Sequence, residues 1–595
     1  MNAARIFGLT AVLVLAAGGV RAQTPHQQLI SLAQDIIYTT AAVYPMSATY
    51  LGIPGHDGEL EAPSETFRAA QVQRLTEWRG RLDRVAASFD AQSTLADRDD
   101  ERLLRARLTR SLDELLVYQT DRKDYADAAT SLVGVVFTQF QHLPVAGAEG
   151  ATALDVRRAW LDITRRLAGA PAYLAAARQL VTMPCHLYGV VGSRELAGAP
   201  DFLKVALSDA ARSQLGPQSR DYAAFVRARD AALAALARTR EYIDAHVAAW
   251  PENYAIGRAA YDRMLKEEQL LPFDSRDVER IARDELAHGW AEEEWVQNAA
   301  QRRGVALGAA SGGGLAPGGA ALVDYYRDCI AQLRKFVTEQ QVVTVPDWLG
   351  TMRIVETPAF LQPVSPGASM NPPRLFSLST TGYYYITPPK SLAEAAARLD
   401  MNEDFDRDRI ESTAAHEALP GHFMQLSIAK RHPDFVRRIA FDGVFAEGWA
   451  FYGEEMFVRL GLYGDDLDAR LFVARWERVR GARAVVDPRL ASGEWTYQQA
   501  AEFFAAETGF TREQAEAAVA GIATRPGYVI AYSIGRLQIE NLLAEYQRRK
   551  GASGSLLDFH DRLLSYGTAP LAIVGPELLA DLDKPASDVR AAANY

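Results

Sequence analysis

Two histidines and a glutamate stand within seven residues in His416-Glu417-Ala418-Leu419-Pro420-Gly421-His422, flanked by the apolar Ala414, Ala415 and Phe423. Imidazole nitrogens and carboxylate oxygens are common protein ligands of zinc, and an acid beside a ligand can take a proton from water. In the familiar HExxH helix the two histidines lie four apart, so both reach one ion. Here they lie six apart. On an unbroken helix six residues turn about 600° and advance about 9 Å, which leaves the rings about 120° apart. They could not then bind the same ion. Pro420 cannot donate a backbone hydrogen bond and Gly421 tolerates unusual dihedrals. The spacing therefore predicts that the helix bends or bulges at Pro420-Gly421 and brings His422 back beside His416.

A four-coordinate catalytic zinc needs a third protein ligand and keeps one position open for water. The run Glu447-Gly448-Trp449-Ala450-Phe451-Tyr452-Gly453-Glu454-Glu455 offers carboxylates among apolar residues. Glu447 and Glu454, seven apart, fall within about 20° of one helical face. A carboxylate buried among Phe445, Trp449, Phe451 and Met456 is costly unless it is paired or bound to metal. Glu447 is expected as the ligand and Glu454 as the acid behind it, because Gly448 lets the backbone lie close to a facing helix. The reverse assignment is the alternative. Further on, Tyr532 and Arg536 lie one turn apart in the mainly apolar segment 529–537, with Tyr528 one turn before them. Tyr532 is the expected donor to a tetrahedral oxyanion, and Arg536 is expected to hold a substrate carboxylate or orient the phenol. The alternative for Tyr532 is a buried phenol bonded for packing. The run Gly382-Tyr383-Tyr384-Tyr385 reads as a strand. Tyr384 and Tyr385 are expected at the substrate, on a strand that pairs with its extended backbone.

At three places, HEALPGH (416–422), EGWAFYGEE (447–455) and PGYVIAYSIGRLQI (526–539), the chain resembles the exported bacterial proteins of the domain of unknown function 885 family. These resemble gluzincin-type zinc metallopeptidases. The resemblance implies a mainly α, metallopeptidase-like fold around a deep cleft, with a small β-sheet beside the metal helix. It also implies one zinc ion on His416, His422 and Glu447, with Glu417 as general base. Two positions depart from the pattern: Ala491 stands where a histidine is usual, and Tyr528 stands where glutamine follows Pro-Gly. Loss of an oxyanion donor at position 491 would cost about 10²–10³-fold in rate, unless Tyr528, Tyr532 or Arg536 takes its place.

The elements that position these groups are legible in outline. Residues 27–294 carry helical periodicity, clearest in the stripe Leu103, Leu104, Leu108, Leu112, Leu115 and Leu116. Residues 225–250 form another helical segment, stopped by Pro251. A glycine-rich stretch at 304–320 lacks the spacing of a phosphate loop. Beyond it, 342–345, 352–355 and 375–387 are β-branched or aromatic and suggest a small sheet, and helical patterning returns from about residue 404. The expected division is a signal segment at 1–22, a helical scaffold at 23–303, the loop at 304–320 and a zinc-binding region at 321–595. The two halves are expected to enclose one cleft.

The 595 residues carry 64 basic and 75 acidic side chains, a net charge of −11, with 48% hydrophobic and 23% charged residues. That balance disfavours nucleic acid as a partner and excludes global disorder. Arg5, the apolar run 6–17 and Val20-Arg21-Ala22 read as a cleavable secretory signal, with an uncleaved anchor as the alternative. No later stretch is apolar enough to span a membrane, so the expected location is the periplasm or the medium. Cys185 and Cys329 are expected as buried thiols, one bridge between them being the alternative. A di-iron site is disfavoured because no pair of Glu-x-x-His motifs is present. The expected function is an exported zinc-dependent hydrolase that cuts a peptide or a related amide through a zinc-bound water activated by Glu417. The alternative is a silent binding protein that keeps the fold.

Overall fold

The computed structural model describes residues 23–144, 151–307, 320–357, 368–387 and 407–595. The signal-like segment 1–22 and most of the glycine-rich stretch, 308–319, lie outside the described residues. The molecule is mainly α, with one three-stranded sheet among the described residues.

Helix starts follow local chemistry. Thr94 caps Leu95–Asp113 by accepting the Asp97 N–H, and Asp274 caps Ser275–Arg303 by accepting the N–H groups of Arg276 and Asp277. The Leu95–Asp113 helix buries Leu103, Leu104, Leu108 and Leu112, as the stripe predicts. It then widens into a π-helical turn, Glu114–Tyr118, which leaves Leu116 half exposed. The segment expected at 225–250 is the helix Arg220–His246, followed by the short 3-10 turn Val247–Ala249. The two halves of the sequence share a core: Leu29, Leu82 and Leu108 pack in one cluster with Tyr326, Phe445 and Ile573. Burying apolar surface from both halves together makes them one cooperative unit. The described helices include none long and apolar enough to cross a membrane. Cys185 and Cys329 are buried and lie in different core clusters.

The sheet comprises β1 (Met352–Glu356), β2 (Ala368–Asn371) and β3 (Gly382–Ile386), in the order β1-β3-β2. β1 runs parallel to β3 with Met352 opposite Gly382, and β2 runs antiparallel with Ala368 opposite Ile386. Residues 342–345 form no strand. Val342 and Val343 are instead core residues, and Thr344 donates its N–H and hydroxyl to Asp561.

The middle position of β3 overturns the expectation for Tyr384 and Tyr385. Both edges of β3 are already paired, so no substrate strand can add to it. Tyr384 is fully buried against Tyr326, ring centroids 5.3 Å apart, and Tyr385 points to the opposite face against Phe137 at 6.0 Å. The two rings join the sheet to two different cores. The sheet does lie beside the histidine segment: Gly382 abuts Phe423, the residue after His422.

Candidate metal centre

The histidine motif is divided between two helices, Arg407–Glu417 and His422–Lys430. The first helix does not bend at Pro420-Gly421; it ends at Glu417, and a new helix begins at His422. Two hydrogen bonds hold the break, and glycine permits it. The Gly421 N–H bonds to the Ala415 carbonyl at 3.1 Å, and the Trp449 indole donates to the Pro420 carbonyl at 2.8 Å. A Cβ at position 421 would fall 1.7 Å from the His416 carbonyl oxygen, so only glycine fits. The result is the return that the six-residue spacing requires: the two imidazoles stand edge to face with centroids 4.7 Å apart.

Glu447 comes from the helix Gly443–Arg459, which Asp442 caps by accepting the N–H groups of Val444 and Phe445. This helix crosses Ala531–Lys550 at a glycine pair. A Cβ on Gly448 would lie 2.4 Å from Gly535, and one on Gly535 would lie 2.0 Å from the Val444 carbonyl. The absence of both side chains lets the Glu447 helix and the Tyr532 helix approach to backbone contact.

Three atoms converge. Glu447 Oε2 is 3.4 Å from His416 Nε2 and 3.3 Å from His422 Nε2. Two ligands at about 2.0–2.1 Å from a tetrahedral zinc stand about 3.3–3.4 Å from each other, which is the distance from Glu447 Oε2 to each imidazole nitrogen, and all three atoms lie within 4.8 Å of one another. Glu447 Oε2 is buried and has no hydrogen-bond partner among the described residues, an orphan that a cation would satisfy. The other oxygen, Oε1, accepts the Tyr528 hydroxyl at 2.7 Å. Burial alone would raise the Glu447 carboxyl, but the two imidazoles outweigh it and hold the group well below the usual range.

Behind His416 lies a second set of contacts. Its Nδ1 donates to Glu454 Oε1 at 2.6 Å, which fixes the tautomer and turns Nε2 toward Glu447. Arg480 holds both Glu454 oxygens, at 2.7 and 2.9 Å, and Ser412 reaches Oε2 at 3.4 Å. Against burial, Arg480 and then His416 bring the Glu454 carboxyl down to about 2. Nothing local in the sequence marks Arg480, which lies on the helix Leu467–Ala491; only the fold brings it to Glu454. His422 lacks the equivalent support, its Nδ1 being buried without a partner among the described residues.

Glu417 is half-buried, and burial raises its carboxyl against the opposing pull of His416 and His422. A group raised in this way holds a proton more readily, as a base that must later act as an acid requires. Tyr532 lies nearly parallel to the His416 imidazole with centroids 6.2 Å apart, and Arg480 covers its ring at 5.3 Å. Burial pushes its phenol well up, so the hydroxyl is a donor at neutral pH. One turn after Arg480, the Arg483 guanidinium is pushed down by burial, and the groups that favour its charge are Tyr532 and Tyr528.

The expectation for Arg536 is corrected. Its guanidinium reaches Glu455 at 2.5 Å and Glu477 at 3.4 Å, and also bonds to Glu285. It is buried and both of its terminal amino groups are held by carboxylates, so its charge is not free to receive a substrate carboxylate or to orient Tyr532. Ala491 is likewise remote from a donor role: it is buried, and its carbonyl accepts the N–H groups of Ile256 and Gly257.

The molecule is thus a large helical protein with a buried His-His-Glu cluster of zinc-ligand spacing. Over residues 45–578 its sequence matches the bacterial proteins of unknown function termed DUF885, and the chain belongs to that family. Two solved structures share the fold. One is a candidate lipoprotein of unknown function from Shewanella oneidensis, 20% identical, with a TM-score of 0.71 over 94% of this chain and 100% of that one. The other is a candidate lipoprotein from Colwellia psychrerythraea, 18% identical, with a TM-score of 0.71 over 94% of this chain and 99% of that one. No curated protein matches the chain in sequence.

Proposed function

We propose that this protein is an exported, zinc-dependent hydrolase that cleaves peptide or related amide bonds. The observation that carries the reading is the convergence of His416 Nε2, His422 Nε2 and Glu447 Oε2, with the orphaned carboxylate oxygen at its centre. His416, His422 and Glu447 would hold the ion, Glu454 and Arg480 fixing the ring of the first. When bound, zinc supplies a Lewis acid and a water of lowered pKa. Glu417 takes the proton of the attacking water and delivers it to the leaving nitrogen. Tyr532 donates from its phenol to the developing oxyanion. Tyr528 holds Glu447 by Oε1, so that Oε2 faces the imidazoles. Export to the periplasm or the medium is supported by the signal-like residues 1–22 and by the description of both structural neighbours as candidate lipoproteins.

The test is metal analysis of the purified full chain together with Glu417→Gln. About one zinc per chain is expected in both proteins, with peptide or amide hydrolysis lowered about 10²–10⁴-fold in the variant. Zinc loss in Glu417→Gln would make Glu417 a ligand. Unchanged hydrolysis would remove its role as base, and zinc binding without any hydrolysis would favour a silent binding protein.

A further inference from the structure

Tyr528 faces two ways. Its hydroxyl holds Glu447, and its side chain also lines a cavity of about 440 Å³, a volume suited to a small ligand or part of one. The same wall includes Gly443 and Val444, one turn before Glu447, and Ala531, next to Tyr532. The first half of the chain contributes Arg107, Arg110 and Lys123 to the lining. Arg525 lies over the Tyr528 ring at 5.3 Å.

Two of these cations, Arg107 and Lys123, lack among the described residues the ion-pair partners that buried cations ordinarily have. Lys123 is 9% exposed and makes no ion pair or side-chain hydrogen bond among the described residues. Glu114 acts on it from beyond ion-pair distance. The charged group that acts on Arg107 is Arg110, which has the same sign. Three acids share the cavity: Asp442 caps the Glu447 helix, Glu268 accepts the Tyr118 hydroxyl, and Glu114 is exposed, leaving Arg107, Arg110, Lys123 and Arg525 in excess along the lining. A cavity lined by two cations without an ion-pair partner among the described residues is electrostatically complementary to an anion.

We propose that this cavity is the subsite for a carboxylate of the substrate, held by Arg107 and Lys123, with Tyr528 as the wall between it and the metal centre. The assignment deepens the hydrolase reading and rests on it for the word substrate. The carboxylate has two sources, the free C-terminus of a short peptide or an acidic side chain. The chemistry at the cavity is the same for both.

Calorimetric titration of the full chain, metal-free and zinc-loaded, with two matched pairs of probes tests the proposal. One pair is acetyl-trialanine as free acid and as amide; the other is acetyl-Ala-Glu-Ala-amide and acetyl-Ala-Gln-Ala-amide. One acid is expected to bind about tenfold or more tightly than its neutral counterpart, and the pair that shows the preference identifies the source. Arg107→Gln and Lys123→Met, made separately, should each erase the preference while zinc binding stays unchanged. Equal binding of acid and neutral probes in both pairs, or a preference that survives both variants, would overturn the subsite. Binding to the metal-free chain does not depend on turnover, so failure of the hydrolase reading shows as absent hydrolysis with the acid preference intact.

Discussion

Two buried clusters of charge share the same pair of helices, and only one of them is open. At the His416 end, Glu447 and Tyr532 project from Gly443–Arg459 and Ala531–Lys550. One to two turns further along these helices, Glu455 and Arg536 meet, joined by Glu285 and Glu477. In the second cluster each charge faces an opposite one: the guanidinium is surrounded by carboxylates, and Glu477 is further bonded to His288 at 2.7 Å. In the first cluster, two ring nitrogens and one carboxylate oxygen point at a common centre, and the oxygen has no hydrogen bond among the described residues. Burial of charge is common to both. Single unbonded atoms occur in both, Arg536 Nε and Glu285 Oε1 in the second; the convergence of three ligand-type atoms on one point is what sets the first apart from an ion-pair network.

Substitutions that treat the clusters oppositely sharpen this contrast. The largest effect is expected at the open cluster, where His422→Ala should abolish zinc binding and with it all zinc-dependent turnover, leaving the chain folded. Stoichiometric zinc in that protein, measured by atomic absorption after dialysis, would remove His422 from the ligand set. At the closed cluster Arg536→Met should leave zinc content unchanged and cost about 3–5 kcal/mol of stability, because Glu285 remains buried without a cation and Glu455 and Glu477 keep only Arg459 and His288. A denaturation midpoint equal to that of the parent would refute the network reading.

Tyr532→Phe is expected to lower kcat and kcat/KM alike by about 10²–10³-fold while zinc and melting temperature hold. A packing role would show the reverse, a lower melting temperature with kcat intact. The smallest effect is expected for Glu454→Gln, which keeps the shape but loses the charge that orients His416. Zinc affinity should weaken about 10–100-fold, read by competition with a chelator. Equal affinity would mean that Arg480 and Glu454 serve only to join their helices.

The legible parts of the site are those that local geometry decides. The six-residue separation of His416 and His422 demands an interruption, and Pro420-Gly421 supplies one, so the return of the second ring follows from the motif alone. Its form did not: a full stop and restart, held by the Trp449 indole and the Ala415 carbonyl, depends on partners outside that short motif. Glu447 and Glu454 stand out because seven residues place two acids on one apolar face. The helical character of the first half was visible from its apolar period, and β1 and β3 from their runs of β-branched and aromatic residues.

What the sequence by itself determined is therefore the set of groups able to bind metal and the local periods that present them. What only the tertiary structure decided is which neighbours those groups meet. Arg536 has the right spacing from Tyr532, yet its partners Glu285 and Glu477 lie far from it in the chain, and they take its charge. The tyrosines of β3 read as a strand, but β1 and β2 close both its edges. Arg107 and Lys123 carry no motif and stand some four hundred residues before Tyr528, with which they share a cavity. Periodicity along a chain specifies the face on which a side chain stands, whereas its pairing, burial and electrostatic environment are set by segments that only folding brings together.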